Sequence, residues 1–188
     1  MIWLVLGVAL WIGAHLVPSV GRAGKARVIE AVGDNGYRIA ISLLIVAALA
    51  LIVFGWRSAA PATVYVPPNW APGLTFALMI VAFVLFGAAK HATRIKQVVR
   101  HPQLTAVLVW AVAHLVSTGD TRALVLFGGL GSWALISIPL INARDGAWAK
   151  PAVPSARAEL KGLAISLAIF VVALLLHPFY TGVSPIPR

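Results

Sequence analysis

The sequence contains no cysteine. That absence excludes disulfides, zinc–thiolate centres, iron–sulfur clusters and thiolate-ligated haem, so any bound metal must be held by His, Met or oxygen. Acidic residues are nearly as scarce: five Asp and Glu stand against fifteen Lys and Arg in 188 residues. The five are Glu30, Asp34, Asp120, Asp145 and Glu159, and none lies inside a long apolar run. A catalytic zinc wants three protein ligands and a non-haem iron triad wants a carboxylate, so neither fits the hydrophobic segments. An ion-coupled transporter is disfavoured on the same ground, because no run carries the acidic residue or the broken-helix Gly/Pro pair such coupling uses.

Charge as a whole is low. Charged residues make up 11% of the chain and hydrophobic residues 61%, whereas soluble domains are about 25% charged. Water is therefore not the main solvent of this protein. The formal charge of +10 does not indicate a nucleic-acid partner, because the basic residues are scattered between hydrophobic runs instead of forming one basic domain. The patterning implies a single all-α domain over residues 1–188.

Six apolar runs can be read: Ile2 to Val17, Tyr37 to Trp56, Trp70 to Ala89, Pro102 to Ser117, Arg122 to Asn142 and Gly162 to His177. A bilayer core about 30 Å thick takes about 20 apolar residues of helix, so the first and fourth are short and cross with help from interfacial residues or local thinning. The first run lacks a basic segment before it and is expected to be an uncleaved anchor, not a signal peptide. Lys and Arg between runs alternate as four, one, four, one, four, one along the chain, ending on Arg188. Basic loops face the cytoplasm, so the expectation is a polytopic bundle of about six transmembrane helices with both termini non-cytoplasmic. Trp56, Tyr65, Trp70 and Tyr180 then fall on the outer side as an aromatic belt. Pro61, Pro67 and Pro68 mark an extended outer loop from Ser58 to Trp70, and Pro151 and Pro154 mark an inner one from Lys150 to Ser155. Between Lys90 and Arg100, Ile95, Val98 and Val99 among basic residues suggest a short helix on the cytoplasmic face, with membrane lipid as its partner.

Ionisable side chains inside a membrane are costly and are functional candidates by default. Only His15 and His114 qualify, since His91, His101 and His177 sit at run ends. The two interior histidines share a context: Trp11-Ile-Gly-Ala-His15-Leu-Val matches Trp110-Ala-Val-Ala-His114-Leu-Val at Trp, Ala, His, Leu and Val. The first and fourth runs cross in opposite directions in this topology, as in an inverted repeat of three helices plus three. Two imidazoles from antiparallel helices, with no carboxylate near, suit the axial positions of a b-type haem. The alternative is that each is satisfied by a hydrogen bond to a neighbouring helix, a reading that the duplicated context makes the lesser one. Met79 is a weaker axial candidate, and Gly128, Gly129, Gly131 and Ser132 form a small-residue face that reads as a cofactor wall or as close helix packing. Asp120 reads as the N-cap of the fifth helix and Pro102 as the first residue of the fourth.

The segment Arg100-His101-Pro102-Gln103-Leu104…Trp110…His114-Leu-Val…Gly119-Asp120, the opening His15-Leu-Val-Pro-Ser, and Gly36-Tyr37-Arg38 resemble the NnrU family of bacterial membrane proteins over nearly the whole chain. The resemblance implies an association with nitrite and nitric oxide metabolism in denitrifiers. It also implies a likeness to the haem b-dependent zeta-carotene isomerase of plants, with His114 matching one haem ligand and His15 the other. Trp11 and Trp110 would flank the cofactor, and Arg100 and His101 would lie toward its edge, Arg22 being as well placed as Arg100 to meet a propionate. Isoprenylcysteine-type methyltransferases share Arg-His-Pro, but Leu104 stands where they carry an aromatic and no Glu follows before Glu159, which argues against an S-adenosylmethionine site. The expected function is a haem b-binding membrane protein acting as an isomerase or redox enzyme on a lipid-soluble substrate. The competing expectation is a non-catalytic factor, without haem, for assembly or regulation of a respiratory reductase.

Overall fold

The computed structural model describes residues 1–185, without the side chains of 17–20, 22, 23 and 180. The expectations for Arg22, Tyr180 and Arg188 therefore lie outside the described residues. Six helices account for the architecture: α1 (Ile2–Val20), α2 (Arg22–Ser58), α3 (Ala71–Lys90), α4 (Pro102–Ser117), α5 (Thr121–Asp145) and α6 (Ala156–Thr181). Among the described residues there is no strand, only an isolated antiparallel bridge between Thr63 and Asp120. Four segments are long and apolar enough to cross a membrane, Gly24–Ser58, Ala71–Lys90, Thr121–Asp145 and Ala156–Phe179; Ile2–Leu16 and Pro102–Ser117 are shorter apolar helices.

Helix ends follow local chemistry. Pro102 opens α4, where its missing N–H costs nothing. Asp120 caps α5, its carboxylate accepting from the Ala123 amide at 2.9 Å, and Ser155 caps α6 from the Ala158 amide at 3.3 Å. The Ser58–Trp70 and Lys150–Ser155 stretches are largely non-helical, as their prolines require. The largest departure from the sequence reading is α2, which begins at Arg22 and not near Tyr37. Gly33, at φ 75°, breaks it into two arms, a backbone conformation natural only to glycine. The helix is kinked there. Lys25 and Tyr37 would lie about 18 Å apart along a straight helix, yet the Lys25 ammonium is 5.5 Å from the Tyr37 ring centre.

The chain packs as two compact units, Met1–Tyr65 with Gly119–Gly146, and Val66–Thr118 with the chain from Ala147 onward. These are not the sequential halves suggested by the duplicated histidine motif: α5 joins α1 and α2, while α3 and α4 join α6. In the first unit α1 and α2 run antiparallel in close apposition. A Cβ on Gly7 would stand 2.7 Å from the Ile52 amide, and one on Gly55 would collide with the Leu4 backbone. Leu4, Val8 and Ile52 form the buried cluster at this seam. α5 runs parallel to α1, with Gly129 against Val8 and Trp133 against Trp11. In the second unit α4 runs antiparallel to α3, joined by the Thr75 hydroxyl donating to the Ala113 carbonyl at 2.9 Å. α6 is also antiparallel to α3, with Phe83 against Phe170 and Gly87 against Ser166.

The buried positions are dominated by small residues, among them Ala48, Ala82, Ala106, Ala113 and Ala134 at 0% exposure, while Leu43, Val46, Ile169 and Leu175 are more than half exposed. This is the pattern of helices that pack by close approach while lipid covers their bulky apolar side chains.

Candidate functional site

Each unit builds one of the two Trp-x-x-x-His segments into a site of its own. In the first, His15 on α1 directs Nδ1 at the Trp11 carbonyl, 2.8 Å away, and the Trp11 indole stacks on the imidazole at 4.3 Å between centroids and 28° between planes. In the second, His114 on α4 directs Nδ1 at the Trp110 carbonyl, again 2.8 Å, with the Trp110 ring tilted at 53° and 5.1 Å. A carbonyl oxygen can only accept, so Nδ1 carries the proton in both and the ring lone pair sits on Nε2. A helical turn thus fixes the tautomer that a metal-ligating histidine needs, without a carboxylate.

The first site has a member that sequence reading missed. Trp133 on α5 is 8% exposed, sits edge-on to His15 at 5.0 Å and meets Trp11 at 6.0 Å and 89°. Its arrival depends on two features of α5: a π-helical segment, Leu124–Gly128, and Gly129, where a Cβ would lie 2.5 Å from Val8 Cγ1. A π-segment inserts a residue and turns the following face of the helix. The Gly128, Gly129, Gly131 and Ser132 wall divides accordingly: Gly129 and Gly131 are packed, Gly128 faces open space and Ser132 is exposed. The indole nitrogens of Trp11 and Trp133 are both buried without a hydrogen-bond partner.

The second site gathers fewer of the expected residues. Arg100 and His101 lie at the opposite end of α4 from His114, thirteen residues or about 20 Å of helix away. His101 serves there as the residue before the helix, its carbonyl accepting from the Thr105 amide and hydroxyl at 3.0 Å each. His177, at the end of α6, directs Nδ1 to the Val183 carbonyl at 2.8 Å. His91 is lodged at the α3–α6 crossing, where Gly162 leaves room for its imidazole. Beside it the turn Arg94–Gln97 is pinned by Glu159, which accepts from the Thr93 hydroxyl at 2.5 Å and the Arg94 amide at 2.9 Å. A single 3-10 turn, ending before Val98 and Val99, stands where the short helix was expected between Lys90 and Arg100.

The donor set can be tested against the metals it would fit. Among the described residues no group of three or more His, Cys, Asp or Glu could hold an ion. Zinc and carboxylate-bridged iron therefore find no home there, whereas a haem iron asks the protein only for axial nitrogens, and tautomer-fixed histidines supply these.

Apolar helices of spanning length, small-residue seams and paired Trp–His turns define an all-helical membrane protein with histidine sites within its helices. A family model described as NnrU protein matches residues 3–185, and the chain belongs to the NnrU family. No curated protein and no solved structure matches it.

Proposed function

We propose that this chain is a six-span inner-membrane protein in which His15 and His114 would each offer a nitrogen to hold haem b, and that it acts on a lipid-soluble substrate as an isomerase or redox enzyme linked to nitrite and nitric oxide metabolism. The observation that carries the reading is the repeated turn in which a Trp carbonyl holds a His Nδ1 at 2.8 Å in both sites. Haem bound there would supply a redox-active iron. The chain's own part is to hold each imidazole in the tautomer with its proton on Nδ1, to flank it with indole, and to exclude water by the apolar seams. Trp11 and Trp110 orient the rings; Arg100 and His101, at the far end of α4, would serve the cytoplasmic boundary.

Helix directions support six crossings. α1 and α5 run parallel, so α3 and α4 either both cross or both do not, and α3 is of spanning length. The four-to-one alternation of Lys and Arg supports a cytoplasmic place for the basic first part of α2 and for the loops after α3 and α5, with both termini on the other side. The test is an absorption spectrum of the detergent-purified protein expressed with haem supplied. A Soret band that shifts in His15→Ala and in His114→Ala is expected; no band, or one indifferent to both substitutions, would overturn the reading.

A further inference from the structure

We infer that Trp11, His15 and Trp133 form a binding site for the hydroxyl group of a small apolar alcohol. The three rings contact one another pairwise, at 4.3, 5.0 and 6.0 Å between centroids, and all belong to the same unit. Two indole N–H donors are buried there without an acceptor. Leaving such donors unpaired away from water is unfavourable, and native structures rarely do so without a reason. The third ring has the opposite need. His15 spends its Nδ1 proton on the Trp11 carbonyl, so its Nε2 is an acceptor.

Two donors and one acceptor on three rings in mutual contact are the complement of a hydroxyl oxygen, which can accept from both indoles and give its proton to the imidazole. A ketone oxygen meets only the two donors. An alkane meets none. The surroundings decide the rest of the ligand: Trp11 packs with Ile12, Val125 and Leu126 on the apolar cluster of Leu4, Val8 and Ile52, while the Arg122 guanidinium beside Trp56 is paired with Asp120. The site is also built at some structural expense, since a π-segment and Gly129 are what bring Trp133 onto α1. Trp133 is absent from the histidine-ligand pair proposed above, and the inference does not rest on the haem reading. Where iron takes Nε2, the alcohol would keep the two indole contacts.

The experiment is a titration of haem-free protein in nanodiscs, labelled with 15N at the indoles, read by the Nε1–H resonances and assigned with Trp11→Phe and Trp133→Phe. The probes are cyclohexanol, cyclohexanone and cyclohexane, which share a shape and differ in hydrogen bonding. Cyclohexanol is expected to move the Trp11 and Trp133 signals downfield together and saturably, cyclohexanone to do so about ten-fold more weakly, and cyclohexane not at all. Trp133→Phe keeps the apolar ring and should weaken cyclohexanol about ten-fold; if that variant does not fold, Trp11→Phe read at Trp133 gives the same comparison. Equal shifts with cyclohexane would overturn the inference in favour of a plain apolar cavity. Signals already at hydrogen-bonded positions and unmoved by any probe would overturn it in favour of a resident water. Because no haem is present, the Soret experiment and this one can fail separately.

Discussion

His15 Nδ1 and the carbonyl oxygen of Trp11 are 2.8 Å apart, and the same bond at the same length joins His114 to Trp110. One turn of helix therefore does for each imidazole what a carboxylate or a loop carbonyl does in many metal proteins: it decides which nitrogen keeps the proton. The bond uses the backbone of the tryptophan, so any residue at 11 or 110 could make it. The indole adds ring contact and, at Trp11, an N–H donor.

The approach of α1 to α5 depends on Gly129. Gly129→Ala should destabilise the purified protein by about 1–3 kcal/mol, since the new methyl group meets Val8 Cγ1 at 2.5 Å. Adding Val8→Ala should recover part of that loss, giving a coupling of about 1 kcal/mol in a double-mutant cycle of thermal or denaturant unfolding. Additive effects would mean that the two positions are not in contact.

Arg122 ties one end of the first unit. Its guanidinium lies 4.7 Å from the Trp56 ring centre and donates to the Trp56 carbonyl at 3.4 Å and to Asp120 at 3.3 Å. Arg122→Ala should cost about 1–3 kcal/mol, and Arg122→Lys should restore less than half, because an ammonium cannot stack and reach both oxygens. Unfolding midpoints of the two variants measure this directly.

On the second unit, Glu159 holds the Arg94–Gln97 turn through two bonds. Limited trypsin cleavage after Arg94, Lys96 and Arg100 should quicken by about three- to ten-fold in Glu159→Ala, as local opening becomes easier. Glu159→Gln should be intermediate, since its amide keeps one acceptor oxygen. An unchanged cleavage rate in Glu159→Ala would show that the turn stands without the carboxylate.

The topology can be read with single cysteines, because the native chain has none. Ala60→Cys, in the loop after α2, should react with a membrane-impermeant maleimide added outside the inner membrane. Ala152→Cys, between α5 and α6, should react only after permeabilisation. The reverse pattern would invert the orientation.

Much of this fold is legible in sequence where one residue decides a local outcome. Pro102 and Asp120 sit where a helix start needs them, and Pro102 to Ser117 is both the apolar run and the helix. The Arg22–Val32 arm of α2 was hidden because its polar, basic composition reads as a cytoplasmic loop, while helix-forming Ala, Lys, Arg and Glu make it helical up to Gly33. Trp133 was hidden for a different reason. A π-segment shifts the face of α5, and no residue pattern in Leu124–Gly128 announces it. The grouping of α5 with α1 and α2 likewise depends on which glycine seams meet, a three-dimensional fact that the duplicated Trp–His segments do not encode.

Haem content decides the central claim most directly. Pyridine haemochrome assay of protein purified from haem-replete cells should give haem b in the wild type and in His101→Ala, with a loss of at least about ten-fold in His15→Ala and in His114→Ala, since losing a holding residue should cost no less than losing an outer-shell partner. Wild-type protein without haem, or histidine variants that retain all of it, would contradict the account.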